Sequence, residues 1–506
     1  MFISTKRLLS NTTPSMKNTH GLAQEASLRT SSGNIAATMK VNRKLRNRTR
    51  VIPDSIVREV QRKNREFTES LTRAERGLKV EEDHQGDDAT EVKALDGLSF
   101  EMLSIVFSYL NSSKYYHIAR CLNKKMKEFT DSKYFWSSFQ IGNDMFQRIN
   151  EPFFTKLRVS EVKLVDLSGV SSEETDTKIG QVLTILEEKP SLNSLNMQGV
   201  QIQEFTAKCL ANIIDGTVKR TSMVTLDLAG CFINDFILDI LLEAFVVNTT
   251  IETLVLDNNN ISRVGFIELF SKLQRNQSIK SLSLSNNRIE DDLVAHVGNF
   301  LLGSKTLQHI DLSYNSIGDE GIKEMSAFVG RSSALKHLVL NNNKITHVGA
   351  EALATTLSYE CSLQSLEMAS NKLDMRGLKS LFDFVKTSTT LKTLDVSMDW
   401  SRNVRKPRLV RNNTLTSSRS RLPRSDSTSF PTESLKDAII DGNLEKLVLT
   451  GNELSSSLSH IAEALRENCS LEHLVLSRCG VKSENFAELM ESLVLNTRLR
   501  VLDLSH

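Results

Sequence analysis

Hydrophobic and polar residues repeat along this chain at a constant interval. Between residues 251 and 371, a line of nine residues occurs five times, and each line starts 28 residues after the last. Positions one, four and six of every line hold an aliphatic residue or, once, Met368. Position nine is always asparagine: Asn259, Asn287, Asn315, Asn343 and Asn371. Self-similarity at such an interval is typical of a solenoid built from one repeated structural unit.

The spacing predicts a short strand followed by a helix in each unit. Positions four and six alternate, which places both side chains on one face of a strand. After the asparagine, pairs such as Leu269 and Leu273 keep the spacing of one helix face. A single unit cannot bury its apolar side, but stacked units share a continuous core. We expect the asparagine amide to bond backbone groups that would otherwise be buried without partners.

The same frame continues in both directions from the central lines. The further lines begin at Val162, Leu192, Met223, Leu391, Leu444, Leu471 and Leu499. Twelve strands are therefore predicted between about residues 153 and 506. Cys231 and Cys479 stand where asparagine is expected, and we interpret them as small buried substitutes, not as reactive thiols.

These lines resemble the leucine-rich repeat, in its longer ribonuclease-inhibitor-like class. The resemblance implies an α/β solenoid, a horseshoe of parallel strands with the helices outside. Solenoids of this kind usually bind partners on the concave face, where position five of each line would lie. That position is mildly acidic and position seven is mostly small. The predicted ligand is therefore a basic or small-residue-rich segment of a protein substrate.

The candidate substrate-binding residues lie on or beside this concave face. Tyr314, Met398 and Trp400 are the predicted energetic anchors, because large side chains dominate the binding energy of protein interfaces. The full candidate set is Asp227, Asp311, Tyr314, Val339, Glu367, Asp395, Met398 and Trp400.

Residues 95–145 form a second informative segment. Its first predicted helix carries Leu103, Val106, Phe107 and Leu110 at the spacing of one helix face. The segment resembles an F-box at Leu98, Glu101, Ile105 to Leu110, Cys121 and Trp136. It departs from that family at Ser99, where proline is usual, and at Met126, where tryptophan is common.

An F-box implies docking on a Skp-family adaptor of a cullin–RING ubiquitin ligase. The residues that would carry this docking are Leu98, Glu101, Ile105, Phe107, Leu110 and Trp136. The alternative interpretation is a three-helix cap, since the first repeat of a solenoid otherwise exposes its core.

The segments before this one are polar and charged. Residues 1–52 are basic and poor in aliphatic residues, with ten Lys or Arg and one acid in the first fifty. We predict disorder there, because too little apolar surface can be buried to offset the ordering entropy. The first ten residues are alternatively a mitochondrial presequence, and Lys40–Arg50 is alternatively a nuclear signal. Residues 53–94 are predicted to form a helix followed by an acidic linker.

Residues 400–432 interrupt the array after the ninth predicted strand. Between Ser401 and Arg424 there are eight Lys or Arg and no acid. We predict a disordered basic insertion. Thr414 and Ser427 each lie three residues after an arginine, so both are candidate phosphorylation sites where a phosphate would reverse the local charge. A tolerated insertion without such a role is the alternative.

Composition excludes several other classes of protein. The formal net charge is +2, so the whole chain is not a nucleic-acid binder. Six scattered cysteines favour a reducing compartment, and the predicted location is cytoplasmic or nuclear. No apolar run is long enough for a membrane span. No nucleotide-binding loop or metal-binding motif occurs, and we interpret His309, His337 and His473 as surface residues.

The sequence therefore predicts a non-catalytic protein without cofactor or metal. Its predicted function is substrate recognition within an SCF-type cullin–RING ubiquitin ligase, with a Skp-family adaptor and a protein substrate as partners. The alternative is a leucine-rich-repeat scaffold or regulator, of a cytoskeletal or GTPase-regulating kind, in which residues 95–145 only cap the solenoid.

Overall fold

The computed structural model of the 506-residue chain describes most of the repeat array. The described residues are 103, 128, 132–142, 146, 149–168, 170, 175–216, 221–357, 361–398, 430–468, 470–481 and 483–505. The chain divides into two compact units, Met1–Leu110 and Asn111–His506. In the first unit only Leu103 is described, and its side chain is buried. All elements below belong to the second unit.

Thirteen parallel strands form one sheet in the described part of the chain, in the order in which they occur in the sequence. They are β1 (Ser138–Gln140), β2 (Leu164–Asp166), β3 (Ser194–Asn196), β4 (Thr225–Asp227), β5 (Thr253–Val255), β6 (Ser281–Ser283), β7 (His309–Asp311), β8 (His337–Val339), β9 (Ser365–Glu367), β10 (Thr393–Asp395), β11 (Lys446–Val448), β12 (His473–Val475) and β13 (Val501–Asp503).

Helices connect the strands and pack side by side on one face of the sheet. They are α1 (Lys133–Trp136), α2 (Glu151–Val159), α3 (Thr175–Leu186), α4 (Glu204–Asp215), α5 (Asp235–Val247), α6 (Arg263–Leu273), α7 (Asp291–Gly303), α8 (Asp319–Arg331), α9 (His347–Leu357), α10 (Met375–Thr387), α11 (Thr432–Asp441), α12 (Leu458–Glu467) and α13 (Ser483–Leu495). The predicted α/β solenoid is confirmed.

The core lies between the sheet and the helices. The middle residue of each strand is position four of its line, and Leu282, Ile310 and Leu338 are fully buried there. Position six is buried in the same way at Leu284 and Leu312. These side chains leave the strand on the helix side, because alternate residues of a strand face opposite sides. The positions between them face away from the helices.

The asparagine at position nine ties consecutive repeats together, as predicted. The Nδ2 atom of Asn315 donates to the carbonyl oxygens of Leu284 and Leu312, both at 3.0 Å. Its Oδ1 atom accepts from the backbone N–H of Ile289 at 3.1 Å. Equivalent bonds recur at the other asparagines of the ladder. One side chain thus satisfies backbone groups of two neighbouring turns inside the solenoid.

The two cysteines in this position behave as buried substitutes, which confirms their interpretation. Cys231 Sγ lies 3.0 Å from the carbonyl oxygen of Met197. Cys479 Sγ lies 3.1 Å from the carbonyl oxygen of Leu449. Burial raises the pKa of Cys231 to about 12 and that of Cys479 to about 11. Both thiols therefore stay protonated at neutral pH and act as weak hydrogen-bond donors.

Close contacts between consecutive helices explain the glycines that recur early in them. The backbone N–H groups of Thr346 and Gly349 donate to Asp319 Oδ1 at 2.8 and 3.0 Å. A Cβ atom on Gly349 would lie 2.7 Å from that same oxygen. Asp319, at the start of α8, therefore holds the next repeat by hydrogen bonds, and only a glycine at position 349 leaves room for its carboxylate.

The sheet begins one strand earlier than the sequence predicted, within the segment expected to form the F-box-like domain. Strand β1 pairs with β2, with Ser138 opposite Leu164. Phe139 and Ile141 occupy the positions that leucines fill elsewhere, and both are buried. The prediction of twelve strands missed this one because aromatic Phe139 hides the leucine pattern of the other lines.

The insertion does not interrupt the sheet. Strands β10 and β11 pair directly, with Thr393 opposite Lys446. Lys392 also bonds Glu445 across the two strands, with Nζ 2.6 Å from Oε1. Residues 399–429, which hold most of the predicted insertion, lie outside the described residues, as do the predicted segments 1–52 and 53–94.

Candidate functional site

The open face of the sheet, defined by the strand residues that point away from the helices, is the candidate binding surface. Adjacent strands lie about 4.8 Å apart, so side chains at equivalent positions form rows across the repeats. We call five carboxylates between β4 and β10 the acidic strip: Asp227, Asp311, Glu367 and Asp395 end their strands, and Asp257 lies two residues beyond β5. All five are half-buried. Asp166 and Asp503 end β2 and β13 in the same way and lie outside this group.

The aspartates at the strand ends have a structural role as well. Asp311 Oδ1 accepts from the backbone N–H of Ser313 at 2.8 Å, and Asp395 Oδ1 accepts from that of Ser397 at 3.0 Å. Asp227 makes the same bond two residues on, at 3.0 Å. Such bonds are typical of aspartate at a turn. They hold the carboxylates in fixed positions along the strip.

Asp257 is the most constrained member of the acidic strip. Its Oδ1 atom accepts from Ser283 Oγ at 2.6 Å and from the Ser285 backbone N–H at 2.7 Å. Burial raises the pKa of its carboxyl above the usual value, and the charges of Asp311 and Asp227 add to that rise. The charges of Asp227 and Asp311 thus disfavour the ionised form of Asp257 from other repeats, and a cationic partner would relieve this repulsion.

Two histidines lie next to the strip on adjacent strands. The ring centroids of His309 and His337 are 5.9 Å apart. Burial and the nearby Lys336 lower the pKa of His337, so its ring is neutral at pH 7. Among the described residues, no group of three or more His, Cys, Asp or Glu side chains is arranged to hold a metal ion.

Tyr314 is the large exposed side chain at the centre of the array. Its ring is 54% exposed at the end of β7. Its backbone φ is +55°, a left-handed conformation that Asn258 and Asn286 adopt at the same position of their repeats. Asparagine tolerates this conformation, whereas an aromatic residue there is unusual. The repeat therefore carries a strained tyrosine beside the acidic strip, as expected of a residue retained for contact.

Three other candidate substrate-binding residues are less exposed than Tyr314. Val339 is only 7% exposed, so its side chain adds little to the open face. Glu367, a member of the acidic strip, accepts from Asn341 Nδ2 at 3.1 Å. Met398 is half-buried at the end of the β10 line. Trp400 lies outside the described residues.

Most of the predicted adaptor-docking residues also lie outside the described residues. They are Leu98, Glu101, Ile105, Phe107 and Leu110. The candidate phosphorylation sites Thr414 and Ser427 lie outside them too.

Trp136 is described, and it lies in the core at the first strands of the sheet. It is 2% exposed and packs edge-on against Phe139 and Phe153, with ring centroids 5.5 and 5.6 Å away. In this arrangement the indole stabilises the first turn of the solenoid and offers no exposed surface to a partner.

Sequence reasoning missed Asp257 and an exposed cluster of phenylalanines. Asp257 occupies position seven, where most repeats have serine or alanine, and this departure from the pattern was a usable signal. Phe205, Phe232 and Phe236 are 45%, 57% and 58% exposed. Nothing in the sequence indicated that they are exposed, because a phenylalanine near the start of a helix is normally predicted to lie in the core.

Comparisons with known proteins agree with the repeat. The family described as leucine rich repeat matches residues 275–292, 303–326 and 331–354. No curated protein sequence matches the chain.

Three solved structures are similar to the chain at low sequence identity. A chain of the Rad7 and Elc1 complex in yeast is 16% identical, with a TM-score of 0.43, and the match covers 90% of this chain and 94% of that one. An internalin, InlF, from Listeria monocytogenes is 17% identical, with a TM-score of 0.38 and coverages of 72% and 90%. Actin-binding site 2 of leiomodin-1 is 17% identical, with a TM-score of 0.24 and coverages of 28% and 79%.

In the part of the chain that the structure describes, no helix has both the length and the apolarity needed to cross a bilayer. The repeated line, the parallel sheet in chain order and the asparagine ladder agree with the matched family at residues 275–354. The chain contains leucine-rich repeats, which are protein-interaction repeats, folded as an open solenoid of parallel strands and helices.

Proposed function

We propose that this chain is a non-catalytic interaction protein whose open face binds a protein substrate through a basic segment. The observation that carries this proposal is the acidic strip, a row of five half-buried carboxylates in which burial and the charges of Asp311 and Asp227 disfavour the ionised form of Asp257. Tyr314 stands beside the strip with its ring 54% exposed and would supply the aromatic contact that dominates many protein interfaces.

We further propose that residues 95–145 dock on a Skp-family adaptor, which would make the chain a substrate-recognition subunit of an SCF-type ubiquitin ligase. Support for this step comes from the F-box resemblance at Leu98, Glu101 and Ile105 to Leu110. Trp136 would act indirectly in this case, by fixing the start of the solenoid.

One observation favours the alternative, a scaffold in which this segment caps the solenoid. The end of the segment is built into the array, since β1 is the first strand of the sheet and Trp136 packs in its core. A scaffold of this kind, cytoskeletal or GTPase-regulating, would bind its partner without a ligase.

The two functions differ in adaptor binding, which purified components can test. We expect the full chain to bind a Skp-family adaptor, and the double variant Ile105→Asp, Leu110→Asp to lose that binding by at least about tenfold. Val159→Asp is a matched control, because Val159 is 82% exposed on the solenoid. Isothermal titration calorimetry measures the affinity of the wild-type chain and of each variant for the adaptor. If the wild-type chain never binds the adaptor, the ligase proposal is wrong and the scaffold remains.

A further inference from the structure

Apolar side chains lie exposed in a row outside the open face. Phe205, Phe236 and Val264 are the second residues of the consecutive helices α4, α5 and α6. They are 45%, 58% and 61% exposed. Phe232, in the loop before α5, is 57% exposed. These helices pack side by side, so the four residues form one surface that we call the aromatic row.

The apolar surface continues along α5. Phe236, Ile240, Glu243 and Val247 follow one another at helical spacing on the outer side of this helix. Ile240 is half-buried and Val247 is 50% exposed. A helix of thirteen residues is about 20 Å long. Phe236, Ile240 and Val247 therefore form an apolar stripe along this helix that the exposed Glu243 interrupts, and the aromatic row crosses one end of it.

The backbone conformation at Phe232 is strained for a residue that carries a side chain. Its φ is +57°, a conformation that favours glycine. The repeat of Cys479 has the same local structure, and there Gly480 stands in this place with φ +70°. More than half of the Phe232 ring is in solvent, so burial does not offset the strain. Exposed aromatic residues of this kind mark interaction sites.

The charges around the row specify the partner. Helix α5 carries three carboxylates and no lysine or arginine. Asp239 and Glu243 have side chains 68% and 76% exposed. Lys272 Nζ lies 3.5 and 2.6 Å from them, and the charge of Arg275 also acts on Glu243. The stripe is therefore flanked by excess negative charge, which attracts a cationic partner and repels an anionic one.

We propose that the aromatic row and the outer side of α5 bind an amphipathic helix of a partner protein, with large aliphatic residues on one side flanked by lysine or arginine. Binding of a helix by its apolar side is a common mode of peptide recognition. A second copy of this chain would bring like charges together, as would an anionic membrane. The three phenylalanine rings expose roughly 300 Å² in total, and the flanking polar residues would supply the rest of the interface.

The probe for this proposal is a synthetic amphipathic helical peptide of leucine and lysine, titrated into the full chain by fluorescence anisotropy. The control peptide has glutamate in place of every lysine. We expect the lysine peptide to bind and the glutamate peptide to bind at least about tenfold more weakly. Val159→Ser removes an apolar residue elsewhere that is 82% exposed, more than any residue of the aromatic row, and should leave the affinity unchanged.

Phe232→Gly is the decisive variant, because it removes the exposed ring and relieves the positive φ at the same time. We expect Phe232→Gly to raise the thermal midpoint of unfolding. Combined with Phe236→Ser, it should weaken binding of the lysine peptide about tenfold. A change below twofold would overturn the proposal. Equal binding of the two peptides would also overturn it, as would preferential binding of phosphatidylserine-containing vesicles, or a dimer that these variants disrupt.

Discussion

At the scale of single residues, the acidic strip combines hydrogen bonds that stabilise turns with a concentration of like charge. Asp257 is held by two hydrogen bonds to the next repeat, yet burial and two neighbouring aspartates raise its pKa. Tyr314 and Phe232 likewise keep aromatic rings on left-handed backbone. Residues that lower the stability of the fold without improving its packing or hydrogen bonding are expected at binding sites.

Asp257→Asn tests the energetic side of this claim. The folded chain holds the Asp257 proton more tightly than the unfolded chain, where the pKa is about 3.9. The native carboxyl therefore contributes stability below that pH, and the contribution is lost as pH rises through the folded pKa. Both hydrogen bonds to Asp257 end on Oδ1, which asparagine can replace.

We therefore expect Asp257→Asn to raise the thermal midpoint at pH 7 and to match the wild type below about pH 4. Calorimetric scans across this range measure the difference. Glu351→Gln, on the exposed side of α9, is the control and should show no comparable gain. A loss of stability at pH 7 would mean that the charge of Asp257 is needed for the turn.

At the scale of elements, each repeat is stabilised by its neighbours more than by itself. A strand of three residues and a helix of ten to thirteen do not persist alone in water. The asparagine ladder, the parallel pairing and the close approach of Gly349 to Asp319 all join one repeat to the next. Loss of one such link should therefore weaken cooperativity along the array.

Asn315→Ala removes a central link of the ladder. The backbone N–H groups of Ile289 and Asn287 would lose their acceptor, Asn315 Oδ1. The carbonyl oxygens of Leu284 and Leu312 would each lose one donor and keep another, from Asn287 and Asn343. We expect a loss of about 2–4 kcal/mol in the free energy of unfolding. Urea denaturation measures it, and a broader transition would indicate that the two halves of the solenoid uncouple.

Asn286→Gly in the neighbouring turn is the matched control for Asn315→Ala. Asn286 has a φ of +55° that glycine adopts without strain, and its amide bonds only the exposed Asn258 side chain at 2.9 Å. The free energy of unfolding of Asn286→Gly should differ from that of the wild type by less than about 0.5 kcal/mol. Similar losses in both variants would rule out a special role for the buried ladder.

At the scale of the whole molecule, the repeats form one unbroken sheet from Ser138 to Asp503. The insertion after β10 adds length to the chain without altering the pairing of Thr393 with Lys446. Two surfaces are therefore separated by the architecture itself. The open face carries the acidic strip, and the helix side carries the aromatic row.

Deletion of residues 403–427 tests whether the insertion matters for folding. It restores the 28-residue spacing between the lines at Leu391 and Leu444. We expect the shorter connection to preserve cooperative unfolding. It should raise the free energy of unfolding by about 1 kcal/mol, because closing a shorter loop costs less entropy. Thermal unfolding followed by circular dichroism measures this. A destabilised variant would show that the inserted residues contribute to the folded core.

The sequence alone determined the repeat, twelve of the thirteen described strands and the buried ladder. A fixed interval leaves one way to align the apolar positions, and each unit depends only on its immediate neighbours. Leu282 and Asn315 could therefore be assigned to the core from their positions in the line.

The tertiary structure alone decided features that depend on contacts between lines. It placed Phe139 in the first strand, buried Trp136 and Val339, put Asp257 under the influence of the Asp227 and Asp311 charges, and left Phe232 in solvent. The physical reason is that exposure and charge repulsion depend on the neighbours of a side chain in adjacent repeats. The interval along the sequence fixes which residues become neighbours, but their distances and burial appear only after the repeats stack.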